Sequence, residues 1–284
     1  MNLFDALIFG IVEGVTEFLP ISSTGHLMLS AQVMGLGQTN FLKSFEIAIQ
    51  LGAILSVVVL YWNKFLVDFE VLKRALAAFL PTAVLGFFLY KIIKKFLLNS
   101  PQVVLWSLFL GGILLIIFEC LHREKELLQN SDLRHSEEHS DEESHPEKIL
   151  RFAQNDREDL AKISYRKAFI IGIFQSLAMI PGVSRAAATI IGGLLLGLKR
   201  RTIVEFSFLL AVPTMLAATA LDLLKSAHEF SSGQMEFLLV GFVSSFAVAL
   251  LSIKFLLHFI KNHTFIWFGV YRIAVALLFW FVIS

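Results

Sequence analysis

The stretch EGVTEFLPISSTGH, residues 13–26, interrupts the first long apolar segment of the chain and decides how that segment folds. It lies within residues 3–36, which are otherwise largely apolar, and it brings Glu13, Glu17 and Pro20 into their middle. Inside a bilayer, such a break is tolerated only where protein or a water-filled cavity covers the unpaired backbone groups. The pattern predicts a re-entrant hairpin, in which two half-helices enter and leave the membrane on the same side.

The composition is typical of an integral membrane protein. Of 284 residues, 56% are apolar and 28 are Phe, and the mean hydropathy is +0.73, whereas a soluble domain is roughly half apolar. A spanning helix needs about 20 apolar residues. Runs of suitable length lie at about 45–62, 81–98, 102–121, 203–224, 236–258 and 264–284. We therefore expect an all-α membrane protein with six transmembrane helices. No signal peptide is expected, because the first apolar run has no basic lead-in.

A second interrupted segment, residues 166–198, resembles the first. Ala6, Ile8, Gly10 and Ile11 recur 162 residues later as Ala168, Ile170, Gly172 and Ile173, and Pro20 and Ser23 then match Pro181 and Ser184. Three expected crossings separate equivalent points, so the second half is inverted relative to the first. The sequence predicts two re-entrant hairpins in an inverted-topology repeat, with repeats at 1–121 and 164–284. Chance similarity between apolar sequences is the alternative.

Residues 122–163 form a charged linker with HSEEHSDEESHPEK at its centre. A polar low-complexity loop explains its histidines, His135, His139 and His145, better than a metal site does. The net charge of +1 and the lack of a basic face with interleaved aromatics do not favour nucleic acid as a partner. Basic residues are fewer on the side where the first hairpin opens, which predicts a cytoplasmic linker and an external opening of that hairpin.

Glu13 and Glu17 are four residues apart and therefore share one face of a helix. Carboxylates near the membrane centre are expensive and indicate function. Two of them on one face favour a divalent cation with oxygen ligands, Mg²⁺ or Ca²⁺. The alternative is a protonated pair that is hydrogen-bonded within the helix bundle.

Three hydroxyls and an imidazole follow Pro20 directly: Ser22, Ser23, Thr24 and His26. A serine becomes a nucleophile when a base or a metal activates it, and His26 titrates near neutrality. The hydroxyls also suit the N-terminus of a second half-helix, which attracts anions. We expect a nucleophile here with His26 as its candidate base, while a buried structural histidine is an equal alternative.

The second break, PGVSRAAAT at 181–189, contains Ser184 and Arg185. A guanidinium at membrane depth needs an anionic partner, and its planar fork matches phosphate oxygens. The alternative, which does not exclude phosphate binding, is an ion pair with Glu13 or Glu17. Together the two breaks predict a phosphoryl-transfer site.

These motifs resemble the bacitracin-resistance family of undecaprenyl-diphosphate phosphatases, as do FEIAIQLGAILSVVVLYW from Phe45 and EFSFLLAVPTMLAATALDLL from Glu205. The resemblance runs nearly end to end. It implies hydrolysis of a C55 polyprenyl diphosphate in the bacterial inner membrane, with a divalent metal and a periplasmic active site, and recycling of the lipid carrier for cell-wall synthesis. The family usually has Ser-Gly after the arginine, where this chain has Ala186 and Ala187, so one phosphate-facing hydroxyl is in doubt.

The sequence thus predicts that Ser23 attacks the terminal phosphorus and His26 assists proton transfer. It assigns the metal to Glu13 and Glu17, and phosphate binding to Arg185, Ser184, Ser22 and Thr24. A transporter or flippase of a phosphate-bearing lipid is the rival, because inverted repeats with half-helix termini are also transporter architecture. A homodimer is one oligomeric state that the sequence leaves open.

Overall fold

The computed structural model describes residues 1–37, 39–62, 69–92, 100–133, 160–226 and 234–283. All regular structure in these residues is helical. In chain order the helices are α1 Leu3–Thr16, α2 Ser23–Val33, α3 Asn40–Leu60, α4 Phe69–Ile92, α5 Pro101–Leu133, α6 Tyr165–Ser176, α7 Arg185–Leu195, α8 Arg200–Ser226, α9 Met235–Phe259 and α10 Ile266–Ile283.

Five of the described helices, α3, α4, α5, α8 and α9, are long and apolar enough to cross a bilayer. The sixth expected crossing, 264–284, corresponds to α10, whose apolar part Ile266–Phe281 is shorter than the other five. The chain is therefore an all-helical, multi-pass membrane protein.

Two boundaries differ from those expected. The span expected at 81–98 begins at Phe69, so Pro81 lies inside helix α4. The charged first turns contain no long apolar run, and within them Glu70 accepts hydrogen bonds from Lys73 at 3.0 Å and from Arg74 at 2.7 Å. Helix α5 also continues past the expected start of the linker, to Leu133. The three linker histidines lie outside the described residues.

Both interrupted segments are helix–loop–helix units, as the sequence predicts. Helix α1 starts with a capping box in which Asn2 and Asp5 satisfy each other's backbone N–H groups. Serines cap the other three half-helices, namely Ser22 at α2, Ser164 at α6 and Ser184 at α7. The polar residues that interrupt the apolar runs thus satisfy the free N–H groups of the helices that follow.

Helices of each half pack on helices of the other half, and equivalent pairs form in both directions. Helix α1 packs on α9, and its counterpart α6 packs on α4; α3 contacts α9, and its counterpart α8 contacts α4. Helix α5 packs on its own counterpart α10, and α3 contacts α8. The first short helix of each half therefore packs against the fourth helix of the other half.

The matched glycines Gly10 and Gly172 lie where these exchanged helices cross. A Cβ atom on Gly10 would lie 2.5 Å from the carbonyl oxygen of Gly241 in α9, and one on Gly172 would lie 2.0 Å from that of Ala78 in α4. Both neighbours are backbone atoms that side-chain movement cannot clear. Residues without a Cβ are therefore required at both crossings.

We expect Gly10→Ala and Gly172→Ala each to lower the thermal unfolding midpoint in detergent. Overpacking of this kind costs about 1–3 kcal/mol. The matched control is Gly37→Ala, because a Cβ on Gly37 meets no atom within 4 Å. Midpoints equal to that of the control in both variants would contradict the tight crossings.

Candidate active site

The carboxylates of the first break lie at the end of α1. Helical geometry continues through Glu17, whose backbone N–H donates to the carbonyl of Glu13, so the two side chains share one helix face. Both are buried, with exposed fractions of 0% and 6%. The predicted acidic pair is thus positioned by helix geometry alone.

Glu17 contacts both breaks at once. Its Oε2 accepts a hydrogen bond from the hydroxyl of Ser23 at 2.5 Å. Its Oε1 accepts from Nε and Nη2 of Arg185 at 3.3 and 3.2 Å. The ion pair that the sequence left open as an alternative is therefore present. The side chains of Glu17 and Arg185 are only 4% and 11% exposed, which strengthens the pair relative to one in water.

The second break brings Arg185 to this point at the start of α7. Its Nη1 donates to the carbonyl of Ser207 in α8 at 2.7 Å, which fixes the guanidinium plane. Ser184 caps α7 and donates to the carbonyl of Leu19 at 3.4 Å, so it links the two breaks directly. Gly182 has a φ of +89°, and a Cβ there would lie 2.6 Å from the carbonyl of Val104, so this turn requires glycine.

The remaining predicted residues lie around the start of α2. Ser22 caps the helix by accepting from the backbone N–H of Gly25 at 3.4 Å, and half-buried Thr24 lies in its first turn. His26 places Nδ1 2.8 Å from the carbonyl of Ser22 and Nε2 2.9 Å from the hydroxyl of Tyr271. Ser23 donates to Glu17 and not to His26, so this geometry favours Glu17 as the base for Ser23.

Two residues of α10 belong to this region but were not predicted from the sequence. Tyr271 contacts His26, and the neighbouring Arg272 is 1% exposed. Arg272 donates to the carbonyls of Pro20 at 3.3 Å and Gly182 at 3.0 Å, one in each break, and to those of Ser107 and Leu108 in α5. An arginine within an apolar segment is itself a functional signal. The same rule, applied to residues 264–284, identifies Arg272.

The residues present suit a divalent cation at Glu13. Neither carboxylate oxygen of Glu13 has a hydrogen-bond partner among the described residues unless Glu13 and Glu17 share a proton. Glu17 and Glu46 add negative charge beside it, and Arg185 is the positive group that opposes them. A buried carboxylate without partners is costly, and protonation or a bound cation removes that cost. The described residues include no group of three or more His, Cys, Asp or Glu side chains placed to hold a metal.

The chain matches known proteins over nearly its whole length. Residues 6–278 match the family model described as bacitracin resistance protein BacA. The chain is 50% identical over 280 residues to an undecaprenyl-diphosphatase of Sulfurihydrogenibium sp., with 99% of both chains covered. It is 47% identical over 279 residues to the proteins of that name from Aquifex aeolicus and Persephonella marina, with 98% of each chain covered. Because the family model covers residues 6–278 and these relatives cover 98–99% of the chain, the chain belongs to the bacitracin resistance protein BacA family.

Proposed function

We propose that this protein hydrolyses undecaprenyl diphosphate to undecaprenyl phosphate and inorganic phosphate. The observation that carries the proposal is the Glu17 carboxylate, which holds a serine hydroxyl and an arginine in one buried site. A carboxylate base, a hydroxyl nucleophile and a phosphate-binding guanidinium are the groups that phosphoryl transfer requires. The names of the relatives agree with this chemistry.

The architecture we propose is six crossings and two re-entrant hairpins in an inverted repeat. The exchange of helix partners between the halves supports it, as do the matched glycines at the two exchanged crossings. In this arrangement both breaks meet at membrane depth, and their half-helices α2 and α7 begin at Ser23 and Arg185. Helix N-termini attract anions, so these two helix starts favour the diphosphate group.

In the first step the Ser23 hydroxyl attacks the terminal phosphorus and passes its proton to Oε2 of Glu17. The bond from that phosphorus to the bridging oxygen breaks, and undecaprenyl phosphate leaves with the bonding electrons. Glu17 passes this proton to the departing phosphate or to solvent and is a carboxylate again. Water then attacks the phosphorus of the phosphoserine and gives a proton to Glu17, the bond from the Ser23 oxygen to phosphorus breaks, Ser23 takes that proton from Glu17, and inorganic phosphate is released. Arg185 balances the charge of Glu17 and of the phosphate oxygens, while Ser184, Ser22 and Thr24 are the polar groups nearest to the half-helix starts.

Glu13 and Glu17 are the residues that would hold Mg²⁺ or Ca²⁺. Mg²⁺ is commonly bound by one or two carboxylates together with substrate phosphates, so the absence of a third described protein ligand is compatible with it. The bound ion supplies charge neutralisation to the phosphate oxygens.

We place the protein in the bacterial inner membrane with its active site towards the periplasm, since the larger set of basic residues lies at the opposite ends of the helices. A homodimer remains a prediction.

A transporter of a phosphate-bearing lipid would use the same binding residues but needs no serine beside a carboxylate. Phosphate release from purified protein without a membrane gradient separates the two functions.

We expect Glu17→Gln to lower the rate of phosphate release from undecaprenyl diphosphate by about 10²–10⁴-fold, because the amide cannot accept the Ser23 proton. Rates are measured in detergent with free phosphate as the readout. Glu70→Gln is the matched control, since Glu70 is a carboxylate that pairs with Lys73 and Arg74 elsewhere. A Glu17→Gln variant that folds and turns over normally would refute the mechanism.

Ser23→Ala should abolish turnover, and wild-type protein quenched with acid during turnover should carry label from the terminal phosphate on Ser23. The physical reason is that only a covalent route needs this hydroxyl. If Ser23→Ala retained most of the rate and no phosphoserine formed, water would attack directly.

Chelator should stop phosphate release by the wild type, and Glu13→Gln should raise the Mg²⁺ concentration for half-maximal rate at least about 10-fold, as loss of one charged ligand weakens binding. Arg74→Gln, which removes a charge outside the site, serves as the control. Activity that chelator leaves intact would count against the metal.

A further inference from the structure

The turn that presents Ser23 has an unusual backbone. Ser22 has φ 72° and ψ 97°, and it is the non-glycine residue with positive φ in the described part of the chain. Such a conformation costs free energy and persists where surrounding groups hold it. Because Ser23 follows directly, the groups that hold Ser22 also determine where the Ser23 hydroxyl points.

His26 holds this turn through the carbonyl of Ser22. Both its backbone N–H, at 3.2 Å, and its ring nitrogen Nδ1, at 2.8 Å, reach the Ser22 oxygen. A carbonyl oxygen only accepts hydrogen bonds, so the proton of the neutral ring lies on Nδ1. Nε2 then carries the lone pair and is the acceptor.

Tyr271 of α10 completes the chain of contacts. Its hydroxyl lies 2.9 Å from Nε2 of His26, and the two rings are parallel within 5° at a centroid distance of 5.5 Å. A neutral tyrosine hydroxyl donates to an unprotonated imidazole nitrogen. The next residue, Arg272, is anchored to carbonyls of both breaks, so the backbone of α10 at Tyr271 is held against the turn.

We propose that Tyr271 is a positioning residue: it donates to Nε2 and thereby fixes His26 in the tautomer with the proton on Nδ1. His26 then holds the strained Ser22 carbonyl, and this places the Ser23 hydroxyl on Glu17. The tautomer of a histidine is set by the hydrogen bond that its other nitrogen makes. In this role His26 orients the nucleophile and does not take its proton. This inference rests on the proposed function only in taking Ser23 as the nucleophile.

The direct test is the ¹⁵N NMR spectrum of histidine-labelled protein in detergent, with the His26 signals assigned from His26→Ala. Wild type should show a protonated Nδ1 and an unprotonated Nε2. Tyr271→Phe, which keeps the ring and removes the donor, should give a mixture of tautomers. A wild-type ring with its proton on Nε2, or a spectrum unchanged in Tyr271→Phe, overturns the proposal whether or not the protein is a phosphatase.

The kinetic test is a double-mutant cycle. Loss of a group that orients an active-site residue typically costs about 10–100-fold, and we expect that loss in kcat for Tyr271→Phe with little change in KM. The double variant Tyr271→Phe/His26→Ala should be no slower than His26→Ala alone, since Tyr271 acts through His26. Tyr165→Phe is the matched control, because the Tyr165 hydroxyl donates to Glu70 at 3.2 Å, outside this site.

Additive effects in the cycle would show that Tyr271 acts independently of His26 and would refute the positioning role. A wild type that releases no phosphate from undecaprenyl diphosphate would instead refute the proposed function. The NMR result would still decide the tautomer in that case.

Discussion

The buried carboxylate of Glu17 is the group on which the rest of the site depends. One of its oxygens accepts from Ser23 and the other from Arg185, a residue 168 positions away in the sequence. Removing one partner of a buried ion pair costs about 3–5 kcal/mol, because the other charge is left uncompensated. The pair therefore couples the two interrupted segments, because neither charge can be removed without leaving the other buried and unpaired, and it also orients the carboxylate towards the serine.

The irregular backbone at the two breaks raises a second requirement. Buried carbonyls of non-helical segments need hydrogen-bond donors from the protein. Arg272 supplies them to Pro20 and Gly182, and the guanidinium fits because Gly111 has no Cβ, which would lie 2.1 Å from Nη2. Arg272 of α10 thus donates to a carbonyl in each break. The neighbouring Tyr271 contacts His26 of the first break.

The two halves share one arrangement of helices but carry different polar side chains at equivalent positions. Glu13 is matched, at the same spacing as the glycine pair, by Gln175 in α6. The amide nitrogen of Gln175 donates to the hydroxyls of Thr82 and Thr214 at 2.9 and 3.0 Å, so a neutral side chain stands in the second half where the first has a carboxylate. The acids of the site, Glu13 and Glu17, belong to the first half, and Arg185 of the second half pairs with Glu17.

Composition, helix periodicity and the two interrupted motifs were enough to predict an all-helical membrane protein and both helix–loop–helix units, because each of these signals is local. They also indicated Glu13, Glu17, Ser23 and Arg185 as candidate site residues. The expected start of α4 at residue 81 was wrong, since the helix begins at Phe69 with charged turns that an apolar run does not include. Only the tertiary structure showed that Ser23 donates to Glu17 and that Tyr271 and Arg272 belong to the site. Those contacts join residues far apart in sequence, and no local pattern encodes which side chains the packing of helices brings within hydrogen-bond distance.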